Sequence, residues 1–173
     1  MKVFVAGMSG TGKSTVANEL KKRNFNIIDI DHVPGLCSWV DKETRKKVDA
    51  SNIESVGDDF MEQHDYECDV EILKEMVNQA GELVFVFGNV GDNSSLLPLF
   101  DKVFLLQCYP ETLLVRLKTR DTNSFGKDET VHYRVLDWCK IFDKLMLSAG
   151  AIAVDAELPL EQVVENILEK CNY

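Results

Sequence analysis

The chain has 173 residues, 45 % hydrophobic and 28 % charged, which fits one globular domain at roughly 100–200 residues per domain. Its 19 basic and 29 acidic residues leave a formal net charge of −10, which repels duplex DNA and anionic lipid and argues against a nucleic-acid or membrane-surface partner. No apolar run approaches the ~20 residues of a membrane span, and five cysteines without a C-x-x-C pair point to reduced thiols in a cytoplasm, not to a disulfide framework or a zinc site.

The first segment carries one lysine before Gly7 and runs straight into a glycine turn, unlike a secretory leader. Lys2–Ala6 is a short apolar run and reads as a buried strand. Lys13–Arg23 places Val16, Ala17 and Leu20 on one helical face. Asn26–Ile30 reads as a second strand, so strand, helix and strand form a βαβ unit with a parallel pair. From His32 to Cys68 periodicity weakens, and this stretch is expected to be an irregular excursion. Asp69 caps a helix with Val70, Leu73, Met76 and Val77 inward, stopped by Gly81. Leu83–Phe87 is unbroken apolar, a strand buried on both faces. Val103–Cys108 is another strand, and Pro110 opens a helix with Leu113, Leu114 and Leu117 as its stripe. After a polar loop at Asp121–Asp128, a helix running to Ala149 is expected to face Val131, Val135, Ile141, Phe142 and Leu145 inward. Ala151–Val154 and Pro159–Lys170 complete the pattern. The alternation predicts one α/β domain over residues 1–173, three-layered around a five-stranded parallel sheet.

Between the first strand and helix stands Gly7-Met8-Ser9-Gly10-Thr11-Gly12-Lys13-Ser14, a match to G-x-x-x-x-G-K-S/T. Glycines at these spacings let the backbone N–H groups of Ser9, Gly10, Thr11 and Gly12 turn inward and line an anion nest. The helix N-terminus adds roughly half a positive charge. Lys13 then reaches the outer phosphates of a nucleotide, and the Ser14 hydroxyl is a ligand for Mg²⁺. Thr15 belongs to the same cofactor-binding stretch and is equally an ordinary first-turn helix residue.

With its additional central glycine, this loop resembles that of the small-molecule and nucleotide kinase branch of the P-loop proteins, which includes adenylate, shikimate, gluconate and dephospho-coenzyme A kinases. The likeness continues in Asn26-Ile27-Ile28-Asp29-Ile30-Asp31, similar to the D-x-D strand ending of shikimate and dephospho-coenzyme A kinases. It extends to Tyr109–Arg120, similar to the segment leading into the family's lid, and to Val154-Asp155 with Leu158–Val163. Trp39-Val40-Asp41 and His64-Asp65-Tyr66 look like elements of a set of small bacterial P-loop ATPases. The resemblance implies a P-loop NTPase fold of the nucleotide-kinase type, with ATP and Mg²⁺ as cofactors.

Asp29 and Asp31 lie two apart at a strand end, so both are expected on one face near the transferred phosphate, at the carboxyl edge where α/β sheets bind ligands. One is a support for Mg²⁺ and the other a proton acceptor. The resemblance gives Asp29 the metal side and Asp31 the acceptor side. Leu83–Phe87 ends in Gly88-Asn89 and not in an acid, which argues against a motor or switch ATPase. Asp92 is a second candidate metal support, and Gly88 is read as a point where substrate approaches the backbone.

Arg116 and Arg120 share a helix face, and guanidinium forks suit the charge spread of phosphoryl transfer. The resemblance places Arg120 on adenine and phosphates, with Arg116 or Arg134 as a second contact. Residues 121–128 suit a short lid with Gly126 as pivot, and Lys127 is either a phosphate contact or a solvent-facing residue.

The acceptor region spans residues 32–80 and is poor in cations: Arg45, Lys42, Lys46, Lys47 and Lys74 face many acids, including Asp58, Asp59, Glu62 and Asp65. That balance favours a neutral hydroxyl compound over an anionic one. Trp39 is either a stacking surface or a cap over the core. His64 with Asp65 is either a site pair or a surface pair, His32 shapes the acidic turn, and Trp138 reads as packing. Without N-K-x-D, guanine preference is not expected. The reading is an ATP- and Mg²⁺-dependent kinase acting on a nucleoside, nucleotide, sugar or shikimate-like acceptor. Lys13, Asp31 and Arg120 are catalytic, Ser14 and Asp29 hold the metal, and the protein is a monomer or homodimer. The rival is an ATP- or GTP-binding regulatory module with ATPase activity. A cleft lined by Asp31, Trp39 and His64 favours the kinase, and a flat surface there favours the module.

Overall fold

A computed structural model describes residues 1–49, 58–119 and 132–173, and all side chains among them except those of residues 58, 59 and 132–134. Along the chain run β1 (Lys2–Ala6), α1 (Lys13–Lys22), β2 (Asn26–Asp29), β3 (Cys37–Asp41), β4 (Lys47–Val48), α2 (Asp58–Gln63), β5 (His64–Cys68), α3 (Val70–Gln79), β6 (Val84–Phe87), β7 (Lys102–Gln107), α4 (Pro110–Thr119), α5 (His132–Ser148), β8 (Ile152–Asp155) and α6 (Leu160–Lys170).

Strands β1, β6 and β7 are apolar along almost their whole length, and a strand of that kind must be covered on both faces. They form the middle of a five-stranded parallel sheet in the order β2-β6-β1-β7-β8. Alternate residues feed two cores. Val3, Val5, Phe85, Phe87 and Leu106 pack against Val16 and Leu20 of α1 and Val163, Val164 and Ile167 of α6. Phe4, Ala6, Val84, Val86 and Leu105 pack against Leu73 and Val77 of α3 and Met146 of α5. This is the predicted P-loop α/β sheet between helical layers. Asp69 caps α3 as expected, its side chain accepting from the Ile72 N–H at 3.1 Å. Among the described residues no helix is long and apolar enough to cross a membrane.

The register of the three strands on one side positions the site. Val5 stands opposite Phe87, and Phe87 opposite Asp29. All three strands run in the same direction, so the loop after β1 and the acidic turn after β2 emerge at one edge, separated by the width of β6.

Three expectations are corrected. The stretch from His32 to Cys68 is not irregular: it holds α2 and a small antiparallel sheet in the order β4-β3-β5. Its strands are short and charged, and Asp65 and Glu67, which share one face of β5, pair there with Lys42 and Arg45. Pairing between strands, not apolar periodicity, defines these elements. The buried stripe of α5 runs through Val135, Phe142 and Met146, while Ile141 and Leu145 face solvent; Val131 lies outside the described residues. The third correction concerns β2, which ends at Asp29. Residues Ile30–His32 form a 3-10 turn, so strand alternation does not orient Asp31.

Gly88 explains that turn. It adopts φ +153°, and a Cβ placed on it would lie 2.2 Å from Ile30 Cγ1. The room it leaves is filled by the fully buried Ile30, which anchors the turn between the two acids. Gly88 thus makes room for the packing of Ile30. Gly88→Ala is expected to lower stability by about 1–3 kcal/mol through overpacking. Adding Ile30→Ala should cost less than the sum of the two single substitutions. Chemical denaturation of the four species in a double-mutant cycle measures that coupling.

Candidate active site

The loop from Gly7 to Ser14 holds its own shape. Thr11 is buried; its hydroxyl donates to the Met8 carbonyl at 2.8 Å and its N–H to the same oxygen at 3.2 Å. Gly12 takes φ +97° immediately before α1, a conformation open to glycine at little cost, and no side chain caps the helix there. The first amides of α1 therefore face a cleft of about 1310 Å³ that Gly10, Thr11, Gly12, Lys13, Ser14 and Thr15 help to line. Lys13 Nζ donates to the Gly7 carbonyl at 2.7 Å and reaches the Met8 carbonyl at 3.3 Å. Uncapped amides, a helix dipole and an ammonium group converge on one concavity, the requirement for binding a polyanion.

Asp29 and Asp31 both border this cleft, but in different settings. Asp29 accepts from the Asp31 N–H at 3.2 Å through Oδ1 and pairs with His32 at 3.1 Å through Oδ2. Asp31 faces open space, yet the protein packed around it removes enough water to raise its carboxyl above the usual range. Lys13 opposes that rise, Asp29 adds to it, and the Tyr66 hydroxyl, which donates to Asp31 Oδ1 at 3.2 Å, also opposes it.

Beyond Asp31 lies a second cavity of about 840 Å³. It shares Ser9, Lys13 and Asp31 with the first, and its walls include Trp39, His64, Tyr66 and Trp138. The aromatic wall is a packed unit. Trp39 meets Tyr66 with ring centroids 5.0 Å apart and Phe60 edge-on at 5.2 Å, and Phe60 stacks on His64 at 4.0 Å. Trp39 is therefore a lining residue rather than a cap over the core. His64 is not the exposed partner of Asp65. Its ring is largely covered, Nδ1 lies 2.8 Å from the Phe60 carbonyl, and Nε2 lies 3.9 Å from Asp41. Trp138, expected to be packing, lines this cavity. Tyr66 and Phe60 carry no site signal of their own in the sequence, although Tyr66 belongs to the His64-Asp65-Tyr66 element.

Arg116 is half-buried at the rim of the first cleft. It donates to the Ala156 carbonyl at 2.9 Å and to the Thr11 carbonyl at 3.5 Å, tying the loop to the segment after β8. That segment also holds the start of α4, since Glu157 accepts from the Tyr109 N–H at 2.8 Å and from the Thr112 hydroxyl at 3.0 Å. Asp92 borders neither cavity; it caps a short turn by accepting from the Ser94 N–H at 2.8 Å and the Ser94 hydroxyl at 2.9 Å. Arg120, the 121–128 loop with Gly126 and Lys127, and the Arg134 side chain lie outside the described residues.

A family model described as an AAA domain matches residues 3–137. The chain belongs to this AAA domain family. The bifunctional shikimate kinase/3-dehydroquinate synthase of Thermotoga maritima is 28 % identical over 133 residues, covering 74 % of this chain and 25 % of that protein. The chain thus spans about a quarter of that relative's length. Shikimate kinase from Aquifex aeolicus superposes with a TM-score of 0.63 at 18 % identity, covering 99 % of this chain and 96 % of that one. Deoxyadenosine kinase from M. mycoides gives 0.56 at 19 % identity, covering 99 % and 98 %. The fold of this AAA domain is that of the P-loop small-molecule kinases, as the sequence resemblance implies.

Arg116→Met removes both tethers on the loop. It is expected to lower stability by about 1.5–3 kcal/mol, the scale of hydrogen bonds made by a charged donor, and to weaken ATP binding. Thermal denaturation and titration calorimetry check the two effects separately.

Proposed function

We propose that this protein transfers the terminal phosphoryl group of ATP to a hydroxyl of a small molecule seated in the aromatic cavity. One observation carries the reading: the phosphate cleft and the second cavity meet at Lys13 and Asp31. A phosphate donor and a hydroxyl acceptor bound on either side of that junction would face each other across a cation and a carboxylate. The kinase names of the relative and of the structural neighbours support phosphoryl transfer in general.

In this reading the amides of Ser9–Ser14 bind the triphosphate, and Lys13 exchanges its loop carbonyls for phosphate oxygens. Asp31 accepts the proton of the acceptor hydroxyl, a role suited to a carboxyl held above its ordinary range. Tyr66 orients that carboxylate, and Arg116 keeps the loop in register. Arg120 clamps the nucleotide and the transition state, and residues 121–128 close over them; both assignments rest on the family resemblance.

The donor set fits Mg²⁺. Ser14 is exposed at the cleft, Asp29 borders it, and among the described residues no cluster of three or more His, Cys, Asp or Glu forms a cage of its own. An ion that keeps several waters and is held by one or two carboxylates plus phosphate oxygens needs no such cage. Ser14 and Asp29 would hold it, and when bound it neutralises charge on the phosphates.

The walls of the second cavity favour a neutral acceptor with a ring or planar face. Of the described residues lining it, Lys13 and Lys42 are the cations. Lys42 is already engaged by the Met61 and Glu62 carbonyls, both at 2.9 Å, and by Asp65 at 3.6 Å. Glu62 and Asp65 add negative charge. A nucleoside, sugar or related alcohol suits these walls better than a second phosphate. The cavity lined by Asp31, Trp39 and His64 is also what separates this reading from a regulatory ATPase module, which needs no acceptor pocket.

Labelled ATP with magnesium and a panel of nucleosides, sugars and their phosphates tests the proposal. Transfer to a neutral member is expected, and chelation of magnesium should abolish it. Asp31→Asn should cut transfer by about 10²–10⁴-fold, the scale of general-base catalysis, while ATP binding by calorimetry is retained. Lys13→Ala should lose ATP binding itself. Steady hydrolysis with no transfer to any acceptor would favour the regulatory module.

A further inference from the structure

Cys37 and Cys68 stand directly opposite each other on the antiparallel strands β3 and β5. At the two ends of this pair the Asp69 N–H donates to the Leu36 carbonyl at 2.8 Å and the Lys42 N–H to the Gln63 carbonyl at 2.9 Å. Alternation between these ends puts Cys37 with Cys68, Trp39 with Tyr66 and Asp41 with His64 at the positions that do not exchange backbone hydrogen bonds. There opposing Cα atoms approach to about 4.5 Å and side chains are closest. A disulfide requires Cα atoms roughly 4.4–6.8 Å apart, so these two cysteines can be bridged without moving the backbone.

The two thiols belong to one cross-strand pair. The Cys37 thiol interacts electrostatically with both Cys68 and the Tyr66 hydroxyl, and Tyr66 in turn donates to Asp31. Tyr66 thus stands between the thiol pair, which shares its row of the sheet, and the carboxylate at the junction of the two cavities. Both sulfurs are half-buried, open enough for a small reagent and outside every role assigned above. Their environments differ: interaction with Cys37 holds the Cys68 thiol below its ordinary value, and the same interaction together with burial pushes Cys37 above its own. Burial raises Cys108, Cys139 and Cys171, and a thiol held protonated attacks slowly.

We infer that Cys37 and Cys68 form a reversible intramolecular disulfide by exchange with a low-molecular-weight disulfide, and that this bond alters the acceptor side of the site through Tyr66. The Cys68 thiolate attacks one sulfur of the reagent, whose other half leaves as a thiol. Cys37 then loses its proton and attacks the mixed disulfide, releasing the second half as a thiol. Two protein thiols are oxidised and one reagent disulfide is reduced. The bond replaces the Cys37 thiol, which interacts with the Tyr66 hydroxyl, by a cross-link in the same row of the sheet, so the setting of the tyrosine that holds Asp31 changes while the phosphate loop is untouched. The cross-link stands on the sheet geometry alone; its effect on transfer rests on the proposed role of Asp31.

The test incubates the full chain with graded ratios of oxidised to reduced glutathione, alkylates the remaining thiols and maps peptides by mass spectrometry. A Cys37–Cys68 cross-linked peptide is expected whose yield follows the ratio and vanishes with dithiothreitol, while Cys108, Cys139 and Cys171 are alkylated. In Cys37→Ser the product becomes a glutathione adduct on Cys68. An adduct without a cross-link in the unaltered chain, or pairing spread over all five cysteines, would overturn the site. Calorimetry should give the oxidised and reduced proteins the same ATP affinity. Phosphoryl transfer should fall by about tenfold to a hundredfold on oxidation, the cost of an ångström-scale misplacement, and return on reduction. Equal transfer rates would overturn the coupling. Reduced protein with no transfer at all would speak against the kinase reading, and the peptide map would still decide the cross-link.

Discussion

The parallel register of β1, β6 and β2 is the constraint on which the site depends. Val5, Phe87 and Asp29 stand level across three strands, so the glycine loop and the acidic turn share one edge of the sheet. A parallel sheet needs helical crossovers to join its strands, and the first crossover is α1, whose N-terminus borders the cleft. One connection therefore supplies the buried helix of the core, the dipole at the cleft and the spacing between ammonium and carboxylate. Ile30 completes the arrangement by filling the space above Gly88 and turning Asp31 out of the strand.

Binding a polyanion to a chain of net charge −10 is a local matter. The bulk charge acts over a Debye length, roughly 8–10 Å at physiological salt, whereas uncapped amides and Lys13 act at contact. The same local logic shapes the second cavity. Its basic side chain Lys42 is matched by carbonyls and by Asp65, and aromatic rings make up much of the wall. In the proposed reading one half of the site takes phosphate and the other an uncharged face, and the half-shielded Asp31 stands between them.

The small antiparallel sheet is what gives the site its second half. One of its faces ties Asp65 and Glu67 to Lys42 and Arg45, while the other presents Trp39, Tyr66 and His64 in one row with Cys37 and Cys68. Aromatic pairs facing each other across such strands add packing energy of about 0.5–1.5 kcal/mol beyond their buried area, which helps so short a sheet hold its shape. The row that lines the cavity and the row that pairs the cysteines are the same.

The main sheet was legible in the chain because burial on both faces leaves a local mark: Lys2–Ala6, Leu83–Phe87 and Val103–Cys108 are apolar almost without interruption. The glycine loop was legible because its chemistry demands residue types at fixed spacing within a few positions. Contacts between distant segments leave no such mark. That Cys37 meets Cys68, that Tyr66 orients Asp31, that Trp138 reaches the cavity from α5, and that Gly88 exists for Ile30 follow from strand pairing and helix packing, where each partner taken alone is an ordinary residue. The periodicity of α5 misled for the same reason: Ile141 and Leu145 are apolar, but the direction of the core is set by β7 and α3, not by the helix. Sequence alone determined the βαβ frame and the glycine loop, since these are written in local pattern. Tertiary structure alone decided the acceptor wall and its thiol pair, since these come into being only when chain segments far apart are brought face to face.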